Sequence, residues 1–141
     1  MRASRASIVL AGLQAGVLGG VAMLAWLSVA SVWGGRSIWT AANLLATTFY
    51  GEAALRRGFR WATLSGAAFQ LVLAGALGVT FGFAVYRIQS EIRVALLGLL
   101  FGLAGYLVAV RFLFPHDGML VAYVLLGLFL GRFPRFLRSL E

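Results

Sequence analysis

The 141-residue chain is too apolar for a water-soluble domain. Hydrophobic residues make up 62% of it and charged residues 11%, whereas soluble domains average about 45–50% and about 25%. All 12 basic residues are arginines, which give a formal net charge of +8. They lie at the ends of apolar runs, a pattern typical of membrane proteins. The composition predicts an integral membrane protein in contact with the lipid bilayer and without a nucleic-acid partner.

Several residue types needed for catalysis or metal binding are missing. Without cysteine and with one histidine, the chain cannot form a thiolate metal site or a bis-histidine haem site. The absence of lysine excludes a Schiff base, and four acidic residues are too few for a carboxylate metal cage. No nucleophile and base can be paired. We therefore predict a protein that is not an enzyme and has no catalytic, metal or cofactor site.

The first long apolar run covers residues 7–33 and follows Arg2 and Arg5. It is too long for the hydrophobic region of a signal peptide, which has about 7–15 residues. Roughly 20 residues suffice for a helix to cross the hydrocarbon core. This run therefore predicts a first transmembrane helix that is retained.

The segment 36–50 follows the pair Gly34 and Gly35 and is only moderately apolar. About 14 residues reach only roughly 21 Å as a helix, which is less than the hydrocarbon core. We predict that this segment does not cross the membrane. It is either an interfacial or a re-entrant helix, and the sequence leaves the two alternatives open. A charged run, EAALRRGFR, comes directly after it.

Three further apolar runs predict three more spans, over residues 61–86, 94–114 and 118–132. The polar turns RIQSEIR and PHDG separate them, and a basic tail covers residues 132–141. The predicted fold is therefore an all-α integral membrane protein. It is a single membrane domain, a four-transmembrane-helix bundle with an interfacial or re-entrant segment after the first helix.

The placement of arginines predicts that both termini are cytoplasmic, because loops rich in arginine stay on that side. The bias is small, since the first loop carries most of the outer arginines. We predict a multi-pass protein of the bacterial cytoplasmic (inner) membrane. The inner set is Arg2, Arg5, Arg87, Arg93, Arg132, Arg135 and Arg138, and the outer set is Arg36, Arg56, Arg57, Arg60 and Arg111.

Small residues recur at a spacing of four in every predicted span. Lipid gives no hydrophobic drive to helix association, so close backbone approach at such residues supplies the contact. These GxxxG-type ridges serve either packing within the bundle or docking to another protein. We expect the Gly12 ridge to be internal and the Gly127–Gly131 ridge to dock, because the short fourth helix needs protein cover. The glycines concerned are Gly12, Gly16, Gly20, Gly78, Gly82, Gly98, Gly102, Gly127 and Gly131.

Four polar residues in or beside the spans are candidate membrane contacts: Asn43, Gln70, Arg111 and Asp117. An arginine in hydrocarbon costs several kcal/mol unless it snorkels or pairs. We therefore predict a salt bridge between Arg111 and Asp117, with lipid or anion contact as the alternative. Asn43 and Gln70 are expected to bond across helices or to line a water-filled path.

Two function hypotheses follow from these patterns. The first is a non-catalytic subunit that packs against other membrane proteins, or against copies of itself, through the glycine ridges. The alternative is a small homo-oligomeric channel or transporter. A channel would place Asn43, Thr47, Gln70 and Arg111 along one cavity, whereas a subunit needs no polar path.

Overall fold

A computed structural model describes residues 4–55, 58–112 and 118–140 of the chain. The predicted all-α class is confirmed, because these ranges contain helices and no strand. The helices are α1 Arg5–Trp33, α2 Thr40–Tyr50, a 3-10 helix Gly51–Leu55, α3 Trp61–Val85, α4 Glu91–Phe112, α5 Met119–Leu130 and α6 Phe133–Arg138.

Four stretches are long and apolar enough to cross a membrane, as the sequence predicted. They correspond to α1, α3, α4 and the combined stretch Met119–Arg138, which includes α5 and α6. In lipid every backbone polar group must be satisfied within the segment, so apolar runs of this length form helices. By length and composition the chain therefore has four candidate membrane spans, which indicates a multi-pass membrane protein.

The ends of α1 follow from its sequence. Ser4 caps the helix, since its side chain accepts a hydrogen bond from the Ser7 N–H at 3.0 Å. At the other end Gly35 has a φ of 71°, a left-handed conformation that glycine adopts without steric cost. Its N–H donates to the Val32 carbonyl. The 29 residues between extend about 43 Å, which exceeds the hydrocarbon core.

The helix α1 is the centre of the molecule. It packs against α3 on one side and α5 on another, while α4 lies along the outer side of α5 and α2 lies beside α3. The sequence neighbours α3 and α4 share an edge-on ring contact, Phe81 to Phe101 at 5.6 Å between centroids. They have no extended interface over the described residues. The helices therefore form an open arc, α2–α3–α1–α5–α4, in place of a closed ring.

Contacts between α2 and α3 show how the short helix is oriented. Asn43 bonds to Thr63, Ala46 lies against Gly66, and the rings of Phe49 and Phe69 are 5.2 Å apart. Equal steps along both helices mean that α2 runs beside α3 in the same direction for about two turns. Residues 58–60, called the return segment below, lie back at the start of α3 beside Asn43 and Thr63.

The predicted basic tail is partly helical. After α5 ends at Leu130, α6 places Pro134 in its first turn, where the missing N–H removes no helical bond. The Phe133 ring lies against Gly82 of α3. Glu91 at the start of α4 forms salt bridges with Arg135, at 3.6 Å, and with Arg138. These contacts hold α6 against the ends of α3 and α4.

Candidate functional site

The first glycine ridge lies between α1 and α3. A Cβ built on Gly12 would stand 2.7 Å from the Gly78 carbonyl oxygen, and one on Gly78 would stand 2.7 Å from the Gly16 Cα. Gly20 faces the Cβ of Ala74, again at 2.7 Å. Such separations are far below van der Waals contact, so any larger side chain would push the two helices apart. These glycines bring the backbones of α1 and α3 together.

The second ridge lies between α4 and α5. A Cβ on Gly127 would stand 2.6 Å from the Gly98 carbonyl oxygen, and one on Gly131 would stand 2.9 Å from the Ala95 Cα. Gly102 packs against Tyr123 and Gly127. The sequence assigned the Gly127–Gly131 ridge to docking, but α4 of the same chain covers it. The reason is that the short α5 takes its protein cover from α4 and α1, which leaves this ridge no free surface.

Gly82 belongs to a third contact, between α3 and α6. A Cβ there would stand 2.7 Å from the Phe133 ring, and the Phe133 side chain is buried. A phenyl ring thus fills the space that the missing side chain leaves. All the glycines that the sequence singled out therefore contact other parts of this chain.

A buried hydrogen-bond cluster fixes the return segment between α2 and α3. Asn43, with 3% of its surface exposed, donates from Nδ2 to the Gly58 carbonyl at 3.1 Å. Its Oδ1 accepts from the Thr63 hydroxyl. That hydroxyl also accepts from the Arg60 N–H at 3.0 Å. The cluster joins α2, the return segment and the first turn of α3, so it serves as an anchor.

Gln70 is buried in the α1–α3 interface, with 6% of its surface exposed. Its Nε2 donates to the Met23 sulfur at 3.0 Å. A thioether is a weak acceptor, so this contact stabilises the interface less than an amide pair would. Gln70 thus bonds across helices to a residue that sequence patterns classify as apolar.

The polar positions assigned to a possible channel lie apart. The Thr47 hydroxyl bonds to the Leu44 carbonyl of its own helix at 2.6 Å, and Gln70 faces α1. Arg111 is exposed on α4, which packs along α5 rather than against α2 or α3. The structure therefore does not bring these side chains to one place. Asp117 lies outside the described residues, so its salt bridge with Arg111 stays a prediction.

Two surfaces emerge that the sequence reasoning did not single out. One is the outward face of α4, which carries large apolar side chains and Arg111. The other is a cavity where α5 meets α6. Both follow helical spacing, but every helix here is apolar on several sides, so the spacing alone does not show which side faces lipid. The α4 stripe is Ile92, Leu96, Leu100, Leu103, Leu107 and Arg111, and the cavity is lined by Leu125, Leu128, Phe129, Arg132, Arg135 and Phe136.

Within the described part of the chain, no group of three or more His, Asp or Glu residues is arranged to hold a metal ion. The contacts described above serve packing between helices and anchoring of the segment before α3. In comparisons with protein-family models, with curated proteins and with solved structures, no match to this chain was found.

Proposed function

We propose that the protein is a non-catalytic subunit of the bacterial cytoplasmic membrane that packs laterally against another membrane protein. The observation that carries the proposal is the position of α4. This helix is held by α5 and touches α6 at its start, while the α4 stripe faces outward. Leu100 and Leu107 are 61% and 62% exposed.

The glycine contacts support the choice of this surface. Each predicted ridge is used within the chain, so a docking surface has to lie elsewhere. The α4 stripe is continuous over the length of the helix, because residues three or four apart share one face. A second transmembrane helix could pack along the whole length of this apolar stripe.

Arg111 gives this stripe a charged end that suits a partner protein with an acidic residue at the same level. It lies four residues after Leu107 on the same face, at the end of a 21-residue candidate span. A guanidinium at the hydrocarbon boundary is costly unless it snorkels or pairs. A partner helix with a carboxylate at its outer end would pair with Arg111 and bury the leucines together.

We further propose that α2 is re-entrant and enters the outer leaflet beside α3. Its register with α3 supports this, since α2 runs along that helix instead of crossing it. The 11 residues of α2 extend about 16 Å, too short to cross. The Asn43 cluster then holds the returning chain in place.

Photocrosslinking in native membranes tests the subunit proposal. A photoreactive residue at Leu100 or Leu107 should form one defined adduct with a partner protein, because both side chains face outward. The matched control is Val72, which is 71% exposed on α3 but outside the stripe. It should form no such adduct. Arg111→Gln should reduce the adduct.

The alternative, a small homo-oligomeric channel or transporter, predicts a different result. The purified protein would conduct ions in liposomes, and Leu100 would give no adduct with any other protein. That outcome would replace the subunit proposal. Adducts of equal yield at Val72 and Leu100 would also argue against it, since they would indicate contact without a preferred face.

A further inference from the structure

The elbow between α5 and α6 has a surface divided between apolar and cationic side chains. A cavity of about 280 Å³ opens there. Leu125, Leu128 and Phe129 line the half that belongs to α5. Arg132 and Arg135 line the half that belongs to α6, together with Phe136. The spacing of three or four residues continues from one helix to the next, so the lining is one continuous stripe.

The depth of Arg132 follows from the packing of its neighbour. Gly131 lies against Ala95 of α4, one turn further along α4 than Glu91. Arg132 therefore stands about one helical turn nearer the centre of the bilayer than the salt bridges of Glu91. An arginine at that depth either extends its guanidinium group to the interface or pairs it with an anion.

The charges around the elbow favour the binding of an anion. Glu91 is shared between Arg138 and Arg135, and its Oε2 is 3.6 Å from the Arg135 Nε. Among the described residues, no carboxylate forms a salt bridge with Arg132. Two guanidinium groups thus border the cavity with one acidic side chain nearby, which leaves a local positive charge.

We propose that this elbow binds an anionic phospholipid, with the phosphate between Arg132 and Arg135 and an acyl chain along Leu125, Leu128 and Phe129. Guanidinium groups bind phosphate oxygens in bidentate fashion, and anionic lipids are concentrated in the cytoplasmic leaflet. The cavity is far smaller than a whole phospholipid. It therefore holds the phosphate and the adjoining part of one chain, while the rest stays in the bilayer.

This site is separate from the proposed partner surface. The α4 stripe points away from α5, whereas the elbow lies on a face of α5 and α6 that α4 does not cover. The proposals of lipid binding at the elbow and of protein contact at α4 can therefore be tested independently. Each has its own variants and its own measurement.

Native mass spectrometry of the full chain in mild detergent tests the proposal. The purified protein is titrated with dioleoyl-phosphatidylglycerol and with dioleoyl-phosphatidylcholine. The wild type should bind the anionic lipid more tightly. Arg132→Gln should weaken that binding roughly fivefold, and the pair Arg132→Gln and Arg135→Gln roughly 25-fold, if each arginine acts independently.

Two controls separate the site from general surface charge. Arg93 is exposed in the first turn of α4, at a similar depth, and does not line the cavity. Arg93→Gln should bind phosphatidylglycerol as the wild type does. Leu128→Ser keeps every charge but shortens the apolar half, so it should weaken binding of the same lipid. Arg132→Lys keeps the charge without the bidentate fork, so its affinity should lie between those of the wild type and Arg132→Gln.

Three results would overturn the proposal. Equal affinity of the wild type for the two lipids would exclude recognition of the net negative charge of the headgroup. A loss in Arg93→Gln as large as in Arg132→Gln would indicate diffuse attraction to the surface. Displacement of the lipid by inorganic phosphate at equal concentration would indicate a small-anion site without an acyl-chain contact.

Discussion

The hydroxyl group of Thr63 connects three segments of the chain, since it donates to Asn43 and accepts from the Arg60 N–H. Thr63→Val keeps the shape and removes both bonds. The change removes one hydrogen bond of the buried Asn43 Oδ1. Breaking a buried hydrogen bond by removing one partner costs about 1–3 kcal/mol, so we expect a loss of stability of that size in thermal unfolding in detergent.

Thr80→Val is the matched control for this change. The Thr80 hydroxyl is exposed and bonds to the Ala76 carbonyl of its own helix, so its removal should change stability little. If Thr63→Val unfolds at the same temperature as Thr80→Val, the anchor role of the Asn43 cluster is wrong.

The sequence identifies these polar residues but not their partners. Asn43 and Gln70 stand out as amides in apolar surroundings, where they need hydrogen bonds. The Asn43 partners, Gly58 and Thr63, depend on the direction of α2, which no local pattern encodes. The Gln70 partner is a methionine, and residue type alone does not mark a methionine as an acceptor.

At the scale of the helices, Gly127→Leu tests the packing of α4 on α5. The new side chain would overlap the Gly98 carbonyl and the Leu99 Cα. Overpacking of this kind costs about 1–3 kcal/mol, so the purified variant should unfold at a lower temperature than the wild type.

Ala104→Leu enlarges a residue on the exposed side of α4 and should leave the unfolding temperature unchanged. If Gly127→Leu keeps full stability but no longer co-purifies with a partner protein, the Gly127–Gly131 ridge is a docking surface. Loss of stability in both variants would point to a general effect of bulk on α4.

Helix length and number follow from hydropathy, because only helices satisfy the backbone in lipid. The pairing of helices does not follow in the same way. In water an apolar stripe marks the buried side of a helix, but these helices carry apolar side chains toward lipid as well as toward each other. The glycine spacing therefore indicates close packing but does not identify which helix is the neighbour. The Gly127–Gly131 ridge is an example, because it was expected to contact another protein and packs on α4.

At the scale of the whole molecule, cysteine labelling tests the orientation. The chain has no cysteine of its own, so single substitutions report without background. Arginine placement predicts that Gln89→Cys and Leu140→Cys react only from the cytoplasmic side. The proposed re-entrant course of the chain around α2 predicts that Ser37→Cys and Tyr50→Cys react from the opposite side.

Reaction of Tyr50→Cys from the cytoplasmic side, with Ser37→Cys on the outside, would mean that α2 crosses the membrane. Every later helix would then be inverted. Reaction of Leu140→Cys from outside would contradict the predicted orientation of both termini.

The open arc could not be predicted from the sequence. A short turn joins α3 and α4, and Phe81 near the end of α3 contacts Phe101 in the middle of α4. Nothing in the loop lengths decides whether the rest of α4 then packs on α3 or on α5. That choice depends on the match between Gly98 and Gly127 across helices distant in sequence.

One hydrogen bond has a consequence for the surrounding bilayer. The Trp26 indole N–H donates to the Gly118 carbonyl at 2.9 Å, which sets the start of α5 at the level of Trp26. The last turns of α1, up to Trp33, extend about 10 Å further. At this end of the molecule the apolar surface is thus shorter on the side of α5 than on the side of α1. Lipids on the two flanks face an unequal hydrophobic mismatch, so the bilayer thins beside α5 or the whole protein tilts to share the difference.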